Sequence, residues 1–213
     1  MDSSQFLRCS LADLASSDNS SVLLVNSEPV ARQLRVQALN EDSSSAEARF
    51  ETLQILPIEQ WLVKLWDESF PSKQVLRPVQ LLAIALKIVE KSEYIAVDAL
   101  NTQVVARQFI EAFELSELWG ITIPENRLGF AAAPEMQVFA QWQAEMQQQL
   151  VEQQALSHGQ LPQALIALLA EGLLELPAQI VFTEVLEIDA ATQQLFELVV
   201  IGRRHHVHDW HAS

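Results

Sequence analysis

The amino-acid sequence predicts an α/β protein that has a small parallel sheet and a large all-helical insertion. Short apolar runs typical of buried strands occur near both ends of the chain, at Val22–Val25 and at Gln179–Thr183. Between about residues 71 and 175, apolar residues recur at helical spacing, and proline and glycine mark the breaks. The predicted domains are an α/β part, residues 1–70 plus 176–213, and a helical insertion, residues 71–175.

The first predicted unit is a strand, a tight polar turn and a helix. Val22–Val25 forms the strand, and Pro29 suits the first position of the helix because its missing N–H needs no partner there. A polar loop leads to Phe50–Leu56, whose apolar and polar residues alternate as in a second strand. Pro57 begins a second helix with an apolar stripe. The stripe consists of Ile58, Trp61, Leu62, Leu65 and Trp66.

The insertion is predicted to be a series of helices. Pro78 opens a helix that is apolar on most sides, and Asn101 is the candidate N-cap of the next one. Pro134 begins a long helix with a glutamine-rich face, and we expect Gly159 to break it. Pro162 begins a further helix.

The pattern returns to α/β at Pro177. Gln179–Thr183 is the third predicted strand, and Asp189 is a candidate N-cap for the helix that follows. We expect Gly202 to end this helix and Arg203–His208 to form a fourth strand. The predicted layout is strand–helix–strand–helix, the insertion, and strand–helix–strand.

The turn after the first strand lies where nucleotide-binding folds hold a phosphate, through glycines and a lysine. Its residues are Asn26, Ser27, Glu28 and Pro29, so it has no glycine, no lysine and one carboxylate. All five glycines of the chain lie at or after residue 120, which excludes a glycine-rich phosphate loop in the first half. The chain is arranged like a nucleotide-binding domain that has lost its phosphate site, and we expect no cofactor.

The end of the third strand is the second position that we compared with ATP-driven motors. Such motors place Asp-Glu there, and the Asp helps to hold magnesium. Thr183 and Glu184 occupy these two positions here. Glu184 as a remnant catalytic base is one interpretation, but we favour a solvated carboxylate, because nothing nearby would bind the metal. We therefore assign no catalytic residue and no metal ligand.

Other chemistry-bearing residues give weaker signals. The C-terminal string RRHHVHDWH holds four of the five histidines, but it lacks a cysteine partner and a helical H-x-x-x-H pair for zinc. In a strand, His206 and His208 would share a face and could chelate a metal weakly, but we favour a basic patch or a strand end at a truncation. Ser157 and His158 are adjacent but have no nucleophile elbow around them. Cys9 has no evident base nearby.

Composition bounds the function classes further. The chain has 213 residues, of which 49% are hydrophobic, so a sizeable core is expected. Its formal net charge of -15 repels phosphate backbones and predicts weak binding of nucleic acid. The single cysteine, Cys9, excludes an internal disulfide. With no signal-peptide pattern and no apolar run of ~18–20 residues, we expect a cytoplasmic protein without a membrane span.

Several strings resemble the N-terminal region of a family of bacterial DNA-repair proteins. These strings are VLLVNSEPVARQLR, LQILPIEQWLVKLW, FAQWQAEMQQQL, LPQALIALLAEGLLELPAQIVFTEVLEIDAATQQLFE and RRHHVHDW. The family is described as an inactivated superfamily I helicase followed by a PD-(D/E)XK nuclease, akin to the B subunit of AddAB-type helicase–nucleases. The resemblance implies a RecA-like (P-loop-NTPase-like) half-domain with a degenerate Walker A position and a helical insertion like the 1B domain of helicases. It also implies that the nuclease lies downstream, outside this sequence.

The resemblance leads to one functional hypothesis, and the residues leave alternatives open. The hypothesis is a non-catalytic scaffold module of a DNA-repair helicase–nuclease-like protein. Its partners would be the rest of a longer chain and a helicase-type subunit, with DNA bound only through the full-length protein. The alternative is a stand-alone α/β domain that binds a protein or small ligand and is unrelated to DNA. An active phosphate-transfer enzyme is disfavoured by the missing glycines and lysine. A RecA-like sheet would place Arg204–His208 between Val22–Val25 and Ile180–Thr183, with Phe50–Leu56 beyond the third strand.

Overall fold

The computed structural model describes residues 21–41, 53–93, 101–121, 134–177, 179–182 and 188–209. Within these ranges the chain forms an α/β structure with seven helices and a three-stranded parallel sheet. It divides into two compact units. The α/β unit holds the chain up to Leu65 and Glu175–Glu187, and the helical unit holds Trp66–Leu174 and Ile188–Ser213.

The sheet of the α/β unit is centred on β1 (Ser21–Val25), as its uninterrupted apolar sequence predicts. Every residue of β1 is buried, which is typical of a strand covered on both faces. β2 (Leu53–Pro57) pairs with one side of β1 and β5 (Gln179–Phe182) with the other, both in parallel. Leu23 lies opposite Ile55 on one side and Val181 on the other. All three of these strands were predicted from the sequence, and the structure confirms them over the residues that it describes.

Helix α1 (Glu28–Glu41) connects β1 to β2, as a crossover between parallel strands requires. Its buried Ala31 packs with Leu23, Val25 and Ile55. α2 (Ile58–Glu68) follows β2 directly, one residue later than expected, because Pro57 is the last residue of the strand. The predicted apolar stripe is buried in four of its five members. These are Trp61, Leu62, Leu65 and Trp66.

The helical unit is built on three helices: α3 (Pro78–Glu90), α4 (Thr102–Leu118) and α5 (Pro134–Glu152). Their facing side chains form one apolar core, in which the Phe109 ring meets Trp142 edge-on at a centroid distance of 5.5 Å. Asn101 caps α4 as predicted: its Oδ1 accepts from the backbone N–H of Gln103 at 3.1 Å and of Val104 at 3.3 Å.

Two short strands of the helical unit were not predicted. β3 (Gln74–Val75) and β4 (Ala155–Leu156) pair in parallel. α5 ends at Glu152, before β4, so the expectation that Gly159 breaks this helix is wrong. Gly159 lies instead in a 3-10 turn, His158–Gln160, that leads into α6 (Leu161–Ala170). Two-residue strands leave no periodic pattern in a sequence, because pairing with a partner elsewhere defines them.

The predicted fourth strand is also wrong. Residues 203–208 belong to α7 (Ala190–Asp209), which continues through Gly202. One glycine in a helix costs only about 1 kcal/mol, whereas a central strand of a parallel sheet must be apolar, and Arg203–His208 is polar and basic.

The RecA-like strand order that we expected is wrong for the same reason. Without a strand from the tail, β1 pairs directly with β5, and β2 lies on the opposite side of β1 rather than beyond the third strand. None of the described helices is long and apolar enough to cross a membrane.

Candidate functional site

The turn after β1 has the strand–turn–helix geometry that the sequence predicts. β1 ends at Val25, Asn26 and Ser27 form the turn, and α1 begins at Glu28. The Ser27 carbonyl accepts the first helical hydrogen bond, from the N–H of Ala31 at 3.0 Å. Pro29 is the second residue of the helix, where it removes no helical hydrogen bond. The N-terminus of α1 therefore lies at the carboxyl end of the central strand, where α/β folds commonly bind ligands.

Glu28 fills part of this turn with its own negative charge. Its Oε1 accepts from Arg35 Nη1 at 2.9 Å, and its Oε2 accepts from Gln60 Nε2 at 3.3 Å. Arg35 is two turns further along α1, so the ion pair runs along one face of the helix. A carboxylate in the first turn of a helix is itself favourable, by about 0.3–1 kcal/mol, because of the helix dipole.

Arg35 also fastens the helix to the sheet. Its Nε and Nη2 atoms donate to the Ile55 carbonyl of β2, at 3.2 and 2.6 Å. Both side chains of the ion pair are more than one third exposed, at 39% for Arg35 and 38% for Glu28. The pair by itself therefore contributes little stability, but the guanidinium fixes the position of the carboxylate.

An open hollow of ≈ 480 Å³ lies along the outer side of this helix. Its lining residues are Glu28, Pro29, Arg32, Gln33 and Val36. The two charged members have opposite signs, so the hollow does not favour an anion or a cation by net charge. The sequence reasoning identified the Glu28 carboxylate but not its partners, because Arg35 and Gln60 lie 7 and 32 residues away.

The second predicted position, Thr183 and Glu184, lies outside the described residues. The described part of β5 ends at Phe182, which lies opposite Leu24 of β1 in parallel register. The two strands therefore end at the same edge of the sheet. No residue of the magnesium-site position is assigned a role here.

A polar cluster that the sequence reasoning missed lies in the helical unit. Glu114 of α4 accepts a hydrogen bond from Ser157 Oγ at 3.2 Å and another from the N–H of Gly159, both at Oε2. Burial raises the pKa of Glu114. The hydrogen bonds from Gly159 and Ser157 and the charge of His158 oppose this shift, while Glu117 adds to it. Ser157 has no solvent exposure, so its hydroxyl serves this carboxylate and is not an accessible nucleophile.

The weak chelating pair of His206 and His208 was conditional on a strand, and residues 206 and 208 belong to helix α7 instead. Positions two apart in a helix do not share a face as they do in a strand. The part of the chain that the structure describes contains no group of three His, Cys, Asp or Glu side chains suited to a metal ion. His211 and Cys9 lie outside the described residues.

No protein-family model and no curated protein matches this sequence.

Proposed function

We propose that this chain is a non-catalytic scaffold module, the inactivated helicase-like N-terminal region of a DNA-repair helicase–nuclease-like protein. The observation that carries the non-catalytic part is the Glu28 carboxylate, held by Arg35 and Gln60 at the N-terminus of α1. This is the place where an active nucleotide-binding fold holds a phosphate group.

The electrostatics of the turn support this proposal. A phosphate at the α1 N-terminus would approach the negative charge of Glu28, the first residue of the helix, which the Arg35 guanidinium only partly compensates. The turn also has no glycine through which the backbone approaches the phosphate, and no lysine to neutralise it.

The DNA-repair part of the proposal rests on the resembling strings and on the order of the elements. A parallel sheet interrupted between β2 and β5 by a large set of helices is the layout that the resemblance implies. The strand order differs from our expectation for a RecA-like sheet, so a RecA-like origin of the α/β unit rests on those strings alone. Under this proposal, the partners are the rest of a longer chain and a helicase-type subunit, and DNA is bound only through the full-length protein.

Calorimetric titration with ATP and magnesium tests the non-catalytic part. We expect no saturable heat at low micromolar nucleotide, and no ATP hydrolysis. The Glu28→Gln variant is the control, because it removes the charge but keeps an oxygen that accepts from Arg35. Low-micromolar affinity in the unaltered chain would overturn the proposal.

A stand-alone α/β domain that binds a protein or small ligand is the second candidate. The direct pairing of β1 with β5 favours it, because a helicase-like sheet was expected to separate these two strands. The genomic reading frame distinguishes the two candidates. A frame that continues past Ser213 into a nuclease motif supports the DNA-repair module, and a stop codon there supports the stand-alone domain.

A further inference from the structure

Phe70 combines an exposed aromatic ring with an unfavourable backbone conformation. Its relative exposure of 93% is the highest among the large apolar side chains of the described residues. Its φ of +50° lies in the left-handed region that favours glycine. It is the second residue after the end of α2, where many helices place a glycine, and it precedes Pro71. Neither contact with water nor backbone conformation therefore favours phenylalanine at this position.

Hydrogen bonds fix the loop that carries Phe70. Nε1 of the buried Trp66 donates to the Lys73 carbonyl at 3.0 Å, which ties the far side of the loop to the last turns of α2. Ser69 Oγ donates to the Trp66 carbonyl at 2.7 Å, and the Phe70 N–H donates to the Asp67 carbonyl at 3.2 Å. Because the loop is already held in one conformation, burial of the ring by another molecule would cost little conformational entropy.

The sequence that follows Phe70 is basic, in a chain that is otherwise acidic. Residues 69–89 contain three basic residues and no acidic residue, and all 28 acidic residues of the chain lie outside this stretch. Lys73 and Arg77 are exposed. Asp67 and Glu68 come before Phe70, at the end of α2. We call Phe70, Lys73 and Arg77 the Phe70 surface, and its charge fits an acidic partner.

The C-terminal end of α4 carries a second exposed apolar surface. Leu115 and Trp119 lie one helical turn apart on the same face, with exposures of 49% and 55%. The helix ends at Gly120, which has a φ of +63°, and the Ile121 N–H donates to the Ser116 carbonyl at 2.7 Å. This is the Schellman ending, in which the residue after the glycine packs back towards the last turn. Ile121 is 55% exposed, so three large apolar side chains face solvent here.

Acidic side chains accompany this second surface. Residues 108–121 contain three acidic residues and no basic residue. Glu111 is exposed and lies one turn before Leu115 on the same face. Glu117 is half-buried, and its Oε1 accepts from Gln147 Nε2 at 3.1 Å. We call Leu115, Trp119, Ile121, Glu111 and Glu117 the Trp119 surface. Its charge is opposite to that of the Phe70 surface.

We propose that a second copy of this chain covers both surfaces, with the Phe70 surface of one copy docked on the Trp119 surface of the other. The charges are complementary, and exposed aromatic side chains are the groups that contribute most to protein interfaces. The net charge of -15 opposes association at long range, but about 0.15 M salt screens exposed charges beyond ~8 Å. Short-range pairs between the two surfaces then decide the outcome.

Sedimentation equilibrium of the full chain, between roughly 10 μM and 1 mM in 0.15 M salt, tests the proposal. The average mass should rise with concentration, and a monomer throughout would overturn the proposal and leave both surfaces to a different protein. Phe70→Gly should weaken association about tenfold or more, yet raise the urea midpoint, because glycine suits this φ. Unchanged association in a folded Phe70→Gly chain would also overturn the proposal.

A matched pair of variants on α4 tests the Trp119 surface. Leu115→Ser should weaken association, whereas Val104→Ser should not. Val104 is 50% exposed, as Leu115 is 49% exposed, but it lies about 16 Å away along the same helix. Equal effects of the two variants would contradict the assignment of the Trp119 surface.

Charge reversal identifies which surfaces meet. One chain carries Lys73→Glu and Arg77→Glu, and the other carries Glu111→Lys and Glu117→Lys. Each variant alone should lose self-association, because its two surfaces then have the same sign of charge. A mixture of the two should associate again, because each surface meets one of opposite charge. Both variants remain negatively charged overall, so general attraction between the chains cannot produce this result. A mixture that does not associate would refute the pairing of the two surfaces.

Discussion

Replacing Gly159 with alanine should destabilise the helical unit by about 2–4 kcal/mol. The new Cβ atom would come within 2.8 Å of the Glu114 carbonyl oxygen and 3.2 Å of its Cα, two backbone positions that no side-chain rotation can move. Overpacking of this kind costs about 1–3 kcal/mol. If the turn moves away to relieve it, the Gly159 N–H loses its side-chain acceptor, which costs about 1–3 kcal/mol. Because moving the turn relieves the steric overlap but breaks the hydrogen bond, the two costs do not add fully, and we expect a loss of unfolding free energy below their sum.

The predicted loss of unfolding free energy is opposite in sign to the usual effect of replacing such a glycine with alanine. Gly159 does not have a left-handed backbone conformation, and at such positions alanine normally stabilises a protein by about 0.4–1 kcal/mol. Urea titrations followed by circular dichroism give the free energy of unfolding for both chains. Gly172→Ala is the comparison: its φ of +70° strains alanine, but no atom lies within 4 Å of the new methyl. It should cost about 1–2 kcal/mol. A neutral or stabilising Gly159→Ala would refute the close contact.

Three further predictions concern Arg35, Gln154 and nucleic acid. Arg35→Ala should lower the free energy of unfolding, measured in urea titrations, by about 1–2 kcal/mol, because the Ile55 carbonyl loses both of its Arg35 donors. The exposed control Arg32→Ala should change it by no more than about 0.5 kcal/mol, and equal effects of the two variants would contradict the assigned contacts. Gln154→Gly should raise the unfolding free energy by about 0.5–1 kcal/mol, because residue 154 has a φ of +49°; a loss would contradict this strain. Gel-shift titrations with single-stranded, duplex and forked DNA should give no complex at low micromolar protein, because the net charge of -15 repels the phosphate backbone. A tight, salt-sensitive complex would contradict this reasoning.

The features that could be predicted from sequence are those with local causes. The continuous apolar run of β1, the stripe of α2 and the Asn101 cap each depend on residues within a few positions of one another. The carboxylate at the turn could be predicted in the same way, because Glu28 lies three residues after the end of the strand.

The missed features depend on pairing across long separations. β3 and β4 are too short to show a period, and the Glu114 contact joins residues that are 45 apart. The prediction of a strand at residues 203–208 was wrong for a different reason. Gly202 predicts a helix end, but one glycine carries only a weak penalty, and the helix continues through a segment that is too polar for a central strand.

We propose that the N-terminus of α1, where Glu28 pairs with Arg35, does not bind a phosphate. Amide chemical shifts of Glu28, Val30 and Ala31, followed by NMR while ATP and magnesium are added, test this claim residue by residue. We predict that these three amides do not shift at low micromolar to sub-millimolar nucleotide, because the carboxylate remains paired with Arg35. A saturable shift of these three amides with low-micromolar affinity would contradict the account.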